Sequence, residues 1–549
     1  MSSSVRRTYR GSRYPVLAAA LVGVMWAADW PMPAGNPQRN GWAASERQIT
    51  KVNVSTLKLL YKYQTDNQSR GTNSLSTPII SGNLITYRGF KEMLMFAGSS
   101  DKVFALDADL NRLIWETDLP FAATKRAAKP QTDSCPGGLT SPMVMAGSSS
   151  NSLHFAALAS RAPAATGVSP THPNPYLPPL YQSVYPLLPT TLTQLNAVYT
   201  VSSDGYLHIL NSSTGQDLIP SVRFVPPNAK ITSLNLRDNV VYATTADNCD
   251  GYQNALFAMD ILSPAKTVRS FIPPQGGFAG TVGTAIGNDG TVYVQIAYPK
   301  ANDAKHVYET VVALTPKELK VKDYFTIGDK PLKSGIAASG VTPVVFSFPR
   351  RDLVIAGGRD GRVYLLDSRS LGDLDHHTPL FATPELAERT TKIRDNGFRG
   401  VFSTSFDVDI ETRRFYTTVF GPFRKSSGLP SHRAADTGSV VAFELTGTPE
   451  RPTLKTIWVS GPLASPAPAV IANGVVFVLS TAGTQVSNGA TLHALDAITG
   501  KDLYSGAVST TTPPSGGLAL ANGRIYFTGH DNAVYCFGMP AEQKQLIKQ

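Results

Sequence analysis

A phrase of fixed length recurs along this chain, and it limits the possible folds more than any other feature. Residues 105–115 read Ala-Leu-Asp-Ala-Asp-Leu-Asn-Arg-Leu-Ile-Trp, and residues 494–504 read Ala-Leu-Asp-Ala-Ile-Thr-Gly-Lys-Asp-Leu-Tyr. Weaker copies stand at 209–215, 258–260, 313–315, 365–367 and 442–444, with a divergent one around 535–537. That gives eight units. Repetition at a fixed period means stacked copies of one supersecondary unit, none of which buries its apolar face alone.

Each phrase follows an alternating apolar run that is closed by a polar turn. Examples are Leu94-Met95-Phe96 before Ser99-Ser100-Asp101, Val198-Tyr199-Thr200 before Ser203-Asp204-Gly205, and Leu353-Val354-Ile355 before Arg359-Asp360-Gly361. Period-two runs split by such turns are antiparallel hairpins. Within the phrase, the Asp caps a turn through its side chain and the Gly supplies positive φ. A further short strand opens with a hydroxyl residue and proline at Thr77-Pro78, Ser141-Pro142, Thr342-Pro343 and Ser465-Pro466. Proline lacks an N–H and suits the start of an edge strand. Four short strands per unit, roughly 42 to 55 residues apart, predict an all-β, eight-bladed β-propeller of four-stranded antiparallel blades. The last unit offers only three strands, so Leu57 to Tyr63 is expected to supply the fourth and close the ring.

The expected organisation is a signal peptide over 1–28, an N-terminal extension over 29–56, the propeller over 57–540 with an insertion at about 150–195, and a tail over 541–549. Arg6, Arg7, Arg10 and Arg13 precede an uncharged apolar stretch from Pro15 to Ala28, the pattern of an export signal. No later stretch is long and apolar enough to span a membrane as a helix. The formal charge is +10, and the signal carries four of those charges. Spread over so long a chain, the remainder is no nucleic-acid footprint. Of three cysteines, Cys135 and Cys249 fall on loops at one rim of the disc; they are either disulfide partners in an oxidising compartment or free thiols. Cys536 sits in a strand and reads as core.

Residues 29–42, from Asp29-Trp30-Pro31 to Asn40-Gly41-Trp42, and residues 48–58 resemble the mature N-terminus of the quinoprotein alcohol dehydrogenases. The repeated phrase resembles their tryptophan-docking motif, which is shared with the propeller lipoprotein of the outer-membrane β-barrel assembly machinery. The resemblance covers almost the whole mature chain and implies an exported, bacterial, eight-bladed propeller of the PQQ-repeat type. In the dehydrogenases a disulfide between adjacent cysteines lies over pyrroloquinoline quinone (PQQ), a tryptophan from a middle blade lies beneath it, and the catalytic aspartate sits in a Trp-Asp-Tyr-Asp motif. Some also carry a C-x-x-C-H haem site. This sequence has no adjacent cysteines, no tryptophan between Trp115 and Trp458, and neither motif. The lipoprotein's signal ends in a cysteine, and the signal region here has none.

No metal site is expected. Asp373, Asp375, His376 and His377 crowd one loop and read as solvated, because adjacent histidines in an extended loop diverge. Asp407, Asp409 and Glu411 alternate along a predicted strand and read as a charged outer face rather than a calcium site. The candidate ligand-binding residues form a funnel rim: Arg70, Asp133, Lys230, Lys333 and Arg399 on loops entering the inner strands, and Arg359, Asp360, His530 and Asp531 on the middle turns. The leading functional expectation is a non-catalytic binding or scaffolding module, periplasmic or secreted and monomeric, with no cofactor. Its partner would be an envelope protein or peptide, or a polar small molecule. The alternative is a divergent dehydrogenase holding PQQ and Ca2+ at the channel mouth. A glycan binder using Tyr176, Tyr181 and Tyr185 is a third reading.

Overall fold

The computed structural model describes residues 28–540 except 72, 87–88, 122–134, 147–196, 275–276, 279–282, 298–308, 329–340, 359, 388–406, 411, 421–422, 430–436, 465, 482–488 and 509–516. The described strands fall into eight antiparallel sheets that follow one another around a ring. Blade 1 is Ile79–Thr86, Gly89–Gly98, Lys102–Asp107 and Arg112–Asp118. Blade 2 runs from Val144–Met145 to Val222–Arg223, blade 3 from Lys230–Arg237 to Val268–Phe271, and blade 4 ends on Val321–Ile327. Blades 5, 6 and 7 open on Val344–Phe348, Asp407–Asp409 and Val470–Ala472. Blade 8 takes Ala519–Ala521, Arg524–Thr528 and Ala533–Gly538, and its fourth strand is Lys58–Gln64 from the other end of the chain, paired antiparallel from Lys58↔Gly538 to Gln64↔Ala533. The ring is closed by strand pairing, so neither end leaves an open edge. The first strands of blades 1, 2 and 5 begin just after the prolines at 78, 142 and 343.

The repeated phrase fastens neighbouring blades. Asp107 Oδ1 accepts the N–H groups of Asp109 and Leu110, both at 3.1 Å, and Asp496 Oδ1 accepts those of Ile498 and Thr499 at 2.7 and 3.0 Å. Trp115 and Trp458 dock on such turns in the next blade, at 211–215 and 496–500, while the Asp107 turn receives the Tyr61 hydroxyl of the closing strand on Ala108 O at 3.1 Å. Trp115 of blade 1 donates its indole N–H to Ser212 O at 2.8 Å, and Trp458 of blade 6 donates to Ala497 O at 3.1 Å. The ring lies against a glycine: a Cβ on Gly215 would come within 2.4 Å of Trp115 Cε3, and one on Gly500 within 2.5 Å of Trp458 Cε3. Both glycines also have positive φ, 72° and 71°. Contact and conformation thus both require glycine there.

Two stretches carry more than their composition suggests. Within residues 371–378, Asp373, Asp375 and His377 are exposed, as expected of a solvated loop, but the stretch is also anchored: Thr326 N–H donates to His376 O at 2.8 Å, Leu371 N–H donates to Asp323 Oδ2 at 2.7 Å, and the His376 ring stacks on Tyr324 at 3.9 Å. This stretch of blade 5 clasps the outer strand of blade 4, and covering an exposed edge is its physical role. Asp407–Asp409 is the first strand of blade 6, facing the ring axis, and Asp409 is buried. It is therefore not an outer face. Polar alternation misleads here because a propeller's first strand faces other chain segments rather than solvent or core.

The stretch expected as an N-terminal extension takes a definite place in the ring. Residues 28–49 cross one end of the axis and bond to every blade. Trp30 pairs with Ile80 of blade 1, and Met145 N–H of blade 2 donates to Pro31 O at 2.9 Å. Asn235 of blade 3 donates to Pro37 O at 3.0 Å, Ile286 of blade 4 to Pro37 O at 2.9 Å, and Val345 of blade 5 to Gln38 O at 3.1 Å. Val408 of blade 6 donates to Asn40 O, Ile471 of blade 7 to Gly41 O, and Gly523 of blade 8 to Glu46 Oε2, at 2.7, 2.9 and 2.9 Å. Several partners, including Asn473 and Asn522, sit in hairpins between first and second strands, so the segment plugs the mouth of the channel on that face.

Candidate binding face

With one mouth plugged, a ligand reaches the axis only from the opposite face, which carries the second-to-third-strand turns and the blade-to-blade connections. Five predicted rim residues are described there. The Arg70 guanidinium lies 4.7 Å over the Phe121 ring. Lys230 Nζ pairs with Asp247 Oδ2 at 2.8 Å. Asp360 accepts the Tyr364 hydroxyl and stands 3.7 Å from the Arg362 guanidinium; burial first, then the charge of Asp360, pushes the Tyr364 hydroxyl well above its ordinary range. Asp531 joins Lys62 at 2.8 Å and accepts the Tyr535 hydroxyl at 2.6 Å, while burial pulls the neighbouring His530 imidazole down. Asp133, Lys333, Arg359 and Arg399 lie outside the described residues, as do Tyr176, Tyr181 and Tyr185. The five sit on blades 1, 3, 5 and 8 or their leads; the side chains of Arg70, Lys230, Asp360 and Asp531 are engaged by near neighbours, and His530 accepts the Ser69 hydroxyl on its backbone carbonyl at 3.1 Å.

Cys135 and Cys249 are bonded, with an S–S distance of 2.05 Å. The bridge ties the connection between blades 1 and 2 to the middle turn of blade 3. Cys536 is a buried free thiol, pushed up to about 12 chiefly by burial.

Sequence reading missed three polar groups. Arg39 of the plug is fully buried, and its guanidinium donates to Pro33 O at 2.6 Å, Leu234 O at 2.5 Å, Thr284 O at 3.1 Å and Ser233 Oγ at 3.3 Å. All are neutral acceptors, and burial lowers its pKa to about 9. Asp101, between blades 1 and 2, is buried and pushed upward by desolvation, with one oxygen taking the Ser203 N–H at 3.2 Å. In blade 2, Ser202 Oγ lies 3.1 Å from His208 Nε2, and His208 Nδ1 lies 3.0 Å from Asp217 Oδ2. That connectivity matches a nucleophile, base and orienting acid. Ser202 is only 1% exposed, however, and its Oγ also meets Asp204 Oδ1 and Tyr206 O. A boxed-in hydroxyl admits no substrate, so the trio is a blade-internal network. The spacing Ser202, His208, Asp217 belongs to no sequence motif that would have signalled it.

No family model and no curated protein sequence matches the chain. Solved structures do. Quinohemoprotein alcohol dehydrogenase from Comamonas testosteroni aligns with 93% of this chain and 80% of its own at TM-score 0.58 and 14% identity. A europium-containing methanol dehydrogenase aligns with 94% of this chain and 92% of its own at TM-score 0.55 and 15% identity. BamB from Moraxella catarrhalis aligns with 62% of this chain and 94% of its own at TM-score 0.35 and 16% identity. The fold is that of the quinoprotein dehydrogenases.

Within that dehydrogenase fold, the described residues do not fit the quinone. The disulfide spans 114 positions and is not a pair of adjacent cysteines. Trp115 and Trp458 are held in blade-to-blade docking, Trp30 is buried in the plug, and Trp42 bridges to Ile471. None is free to stack under a ligand on the opposite face. Among the described residues, no three His, Cys, Asp or Glu side chains converge as metal ligands.

Proposed function

We propose that this chain is an exported, non-catalytic binding or scaffolding propeller of the cell envelope. One observation carries the reading: every described tryptophan and the one disulfide are committed to holding the ring together, so the groups that would sandwich a quinone are engaged elsewhere. Fold alone does not assign chemistry; a site does. The basic and apolar N-terminal stretch and the disulfide between distant loops both suit an oxidising, extracytoplasmic compartment.

A ring plugged at one mouth by its own chain presents a single face to a partner, as a scaffold requires. The direct test is an absorbance scan of the purified protein followed by titration with PQQ in the presence of Ca2+. The expected outcome is no stoichiometric binding; one tightly bound quinone per chain would overturn the non-catalytic reading. Fractionation of the producing cells tests the address, with protein retained in the cytoplasm counting against export.

A further inference from the structure

The loop 247–255, between the second and third strands of blade 3, is held from several sides. Cys249 is bonded to Cys135, Asp247 pairs with Lys230, and Asp250 Oδ2 accepts Asn228 Nδ2 at 2.8 Å. Asp247, Asn248, Asp250 and Gly251 all have positive φ, between 49° and 82°. Asn248 and Asn254 close the neck reciprocally, each backbone N–H donating to the other's Oδ1 at 2.9 Å. The loop is thus a preformed wall.

Facing it is the exit of blade 3's outer strand, Ile272, Pro273 and Pro274, and between the two lies a cleft of about 370 Å³. Its volume is at the small end of ligand sites. Asn248, Gln253 and Asn254 supply its amides, and no described lining residue is charged. The loop's two acids are engaged by Lys230 and Asn228, and the chain from Ile272 to Asn288 carries no charge at all. Ile272, on the facing wall, is 50% exposed.

We propose that this cleft binds a neutral saccharide of one or two pyranose rings, an inference that rests on reading the chain as a binding module. Among the described lining residues none carries a charge that would offset the desolvation of an anion or a cation. The Gln253 side-chain amide both donates and accepts, which matches the vicinal hydroxyls of a sugar, while the Oδ1 atoms of Asn248 and Asn254 serve the loop neck. The Ile-Pro-Pro wall suits a pyranose's C–H faces. Strand addition by a peptide would need free backbone groups. In this loop the N–H groups of Asn248, Gly251, Tyr252, Asn254 and Ala255 already have acceptors.

Saturation-transfer NMR on the disulfide-intact protein, with maltose, cellobiose, lactose and N,N′-diacetylchitobiose as probes, tests this. At least one disaccharide should bind, and Gln253→Ala and Ile272→Ala, both at exposed positions lining the cleft, should each weaken it roughly tenfold. Val321→Ala, exposed on the outer strand of blade 4, should leave it unchanged. Four silent disaccharides, binding indifferent to both cleft substitutions, or occupation of the cleft by N-acetyl-Ala-Pro-Ala-amide instead would overturn the proposal. Quinone binding with saccharide binding intact would remove the non-catalytic reading and leave the cleft standing. No quinone and no saccharide would do the reverse.

Discussion

Single residues decide how firmly each blade holds the next. Trp115 and Trp458 each fill a space that only a glycine on the facing turn leaves open, so truncation to alanine removes a large buried ring together with its hydrogen bond. Each change should cost about 3–5 kcal/mol in urea unfolding. The phenylalanine variants separate packing from bonding. Ala497 O also accepts the Tyr416 hydroxyl at 3.1 Å, so Trp458→Phe leaves that carbonyl partnered, whereas Trp115→Phe takes the indole donor from Ser212 O. Trp115→Phe should therefore be the more damaging, by about 1 kcal/mol; equal losses would mean the indole bonds contribute little. A second residue-scale effect concerns pH. Burial holds His493 below its ordinary value, with Ser480 Oγ 2.9 Å from its Nε2. The unfolded chain then binds the proton more readily, so stability should fall as pH drops through the ordinary histidine range and level off below the folded value. His493→Gln should flatten that part of a melting-temperature profile, and an unchanged profile would exclude His493 as its source.

At the scale of the element, the fourth-strand turns were legible because a capping Asp, a Thr-Gly turn and an aromatic anchor each leave a fixed mark on sequence. The closing strand was legible by subtraction, since the last unit was one strand short. The plug was not. Residues 29–42 carry proline, glycine and asparagine without period, and their backbone groups bond to seven different blades rather than to one neighbouring strand. Trp30 and Trp42, large apolar side chains outside any predicted strand, were the only hint. The clasp at 371–378 was hidden for a related reason: its polar residues cover an edge, and edge cover and solvated loop have the same composition. The disulfide gives the element-scale prediction. It closes a loop of 114 residues, for which chain entropy alone gives about 4–5 kcal/mol. Cys135→Ser with Cys249→Ser should lower the melting temperature by a corresponding amount, and hydrogen exchange should rise first in the 247–255 loop and the lead into blade 2. Faster exchange spread evenly over all blades would contradict a local tether.

For the whole molecule, the consequence lies in the order of events. The plug is made before any blade during synthesis, yet its contacts run from blade 1 to blade 8, so it can complete them only once the last blade has been made. Such long-range pairing is slow to form, since loop closure precedes any gain from contact. Once seated, the segment couples all the first strands, and Arg39 is its central pin. Replacing that guanidinium with a methionine relieves the burial of a charge but strips donors from the carbonyls of Pro33, Leu234 and Thr284. The net loss should be about 3 kcal/mol. Where the loss shows is the stronger test. Arg39 touches only the plug itself and blades 3 and 4, so a purely local pin would raise hydrogen exchange in those two blades alone. If the plug acts as one piece, Arg39→Met should also deprotect Val470–Ala472 in blade 7 and Ala519–Ala521 in blade 8, on the far side of the ring, while leaving the outer strands protected. Exchange confined to blades 3 and 4 would reduce the segment to a set of independent contacts.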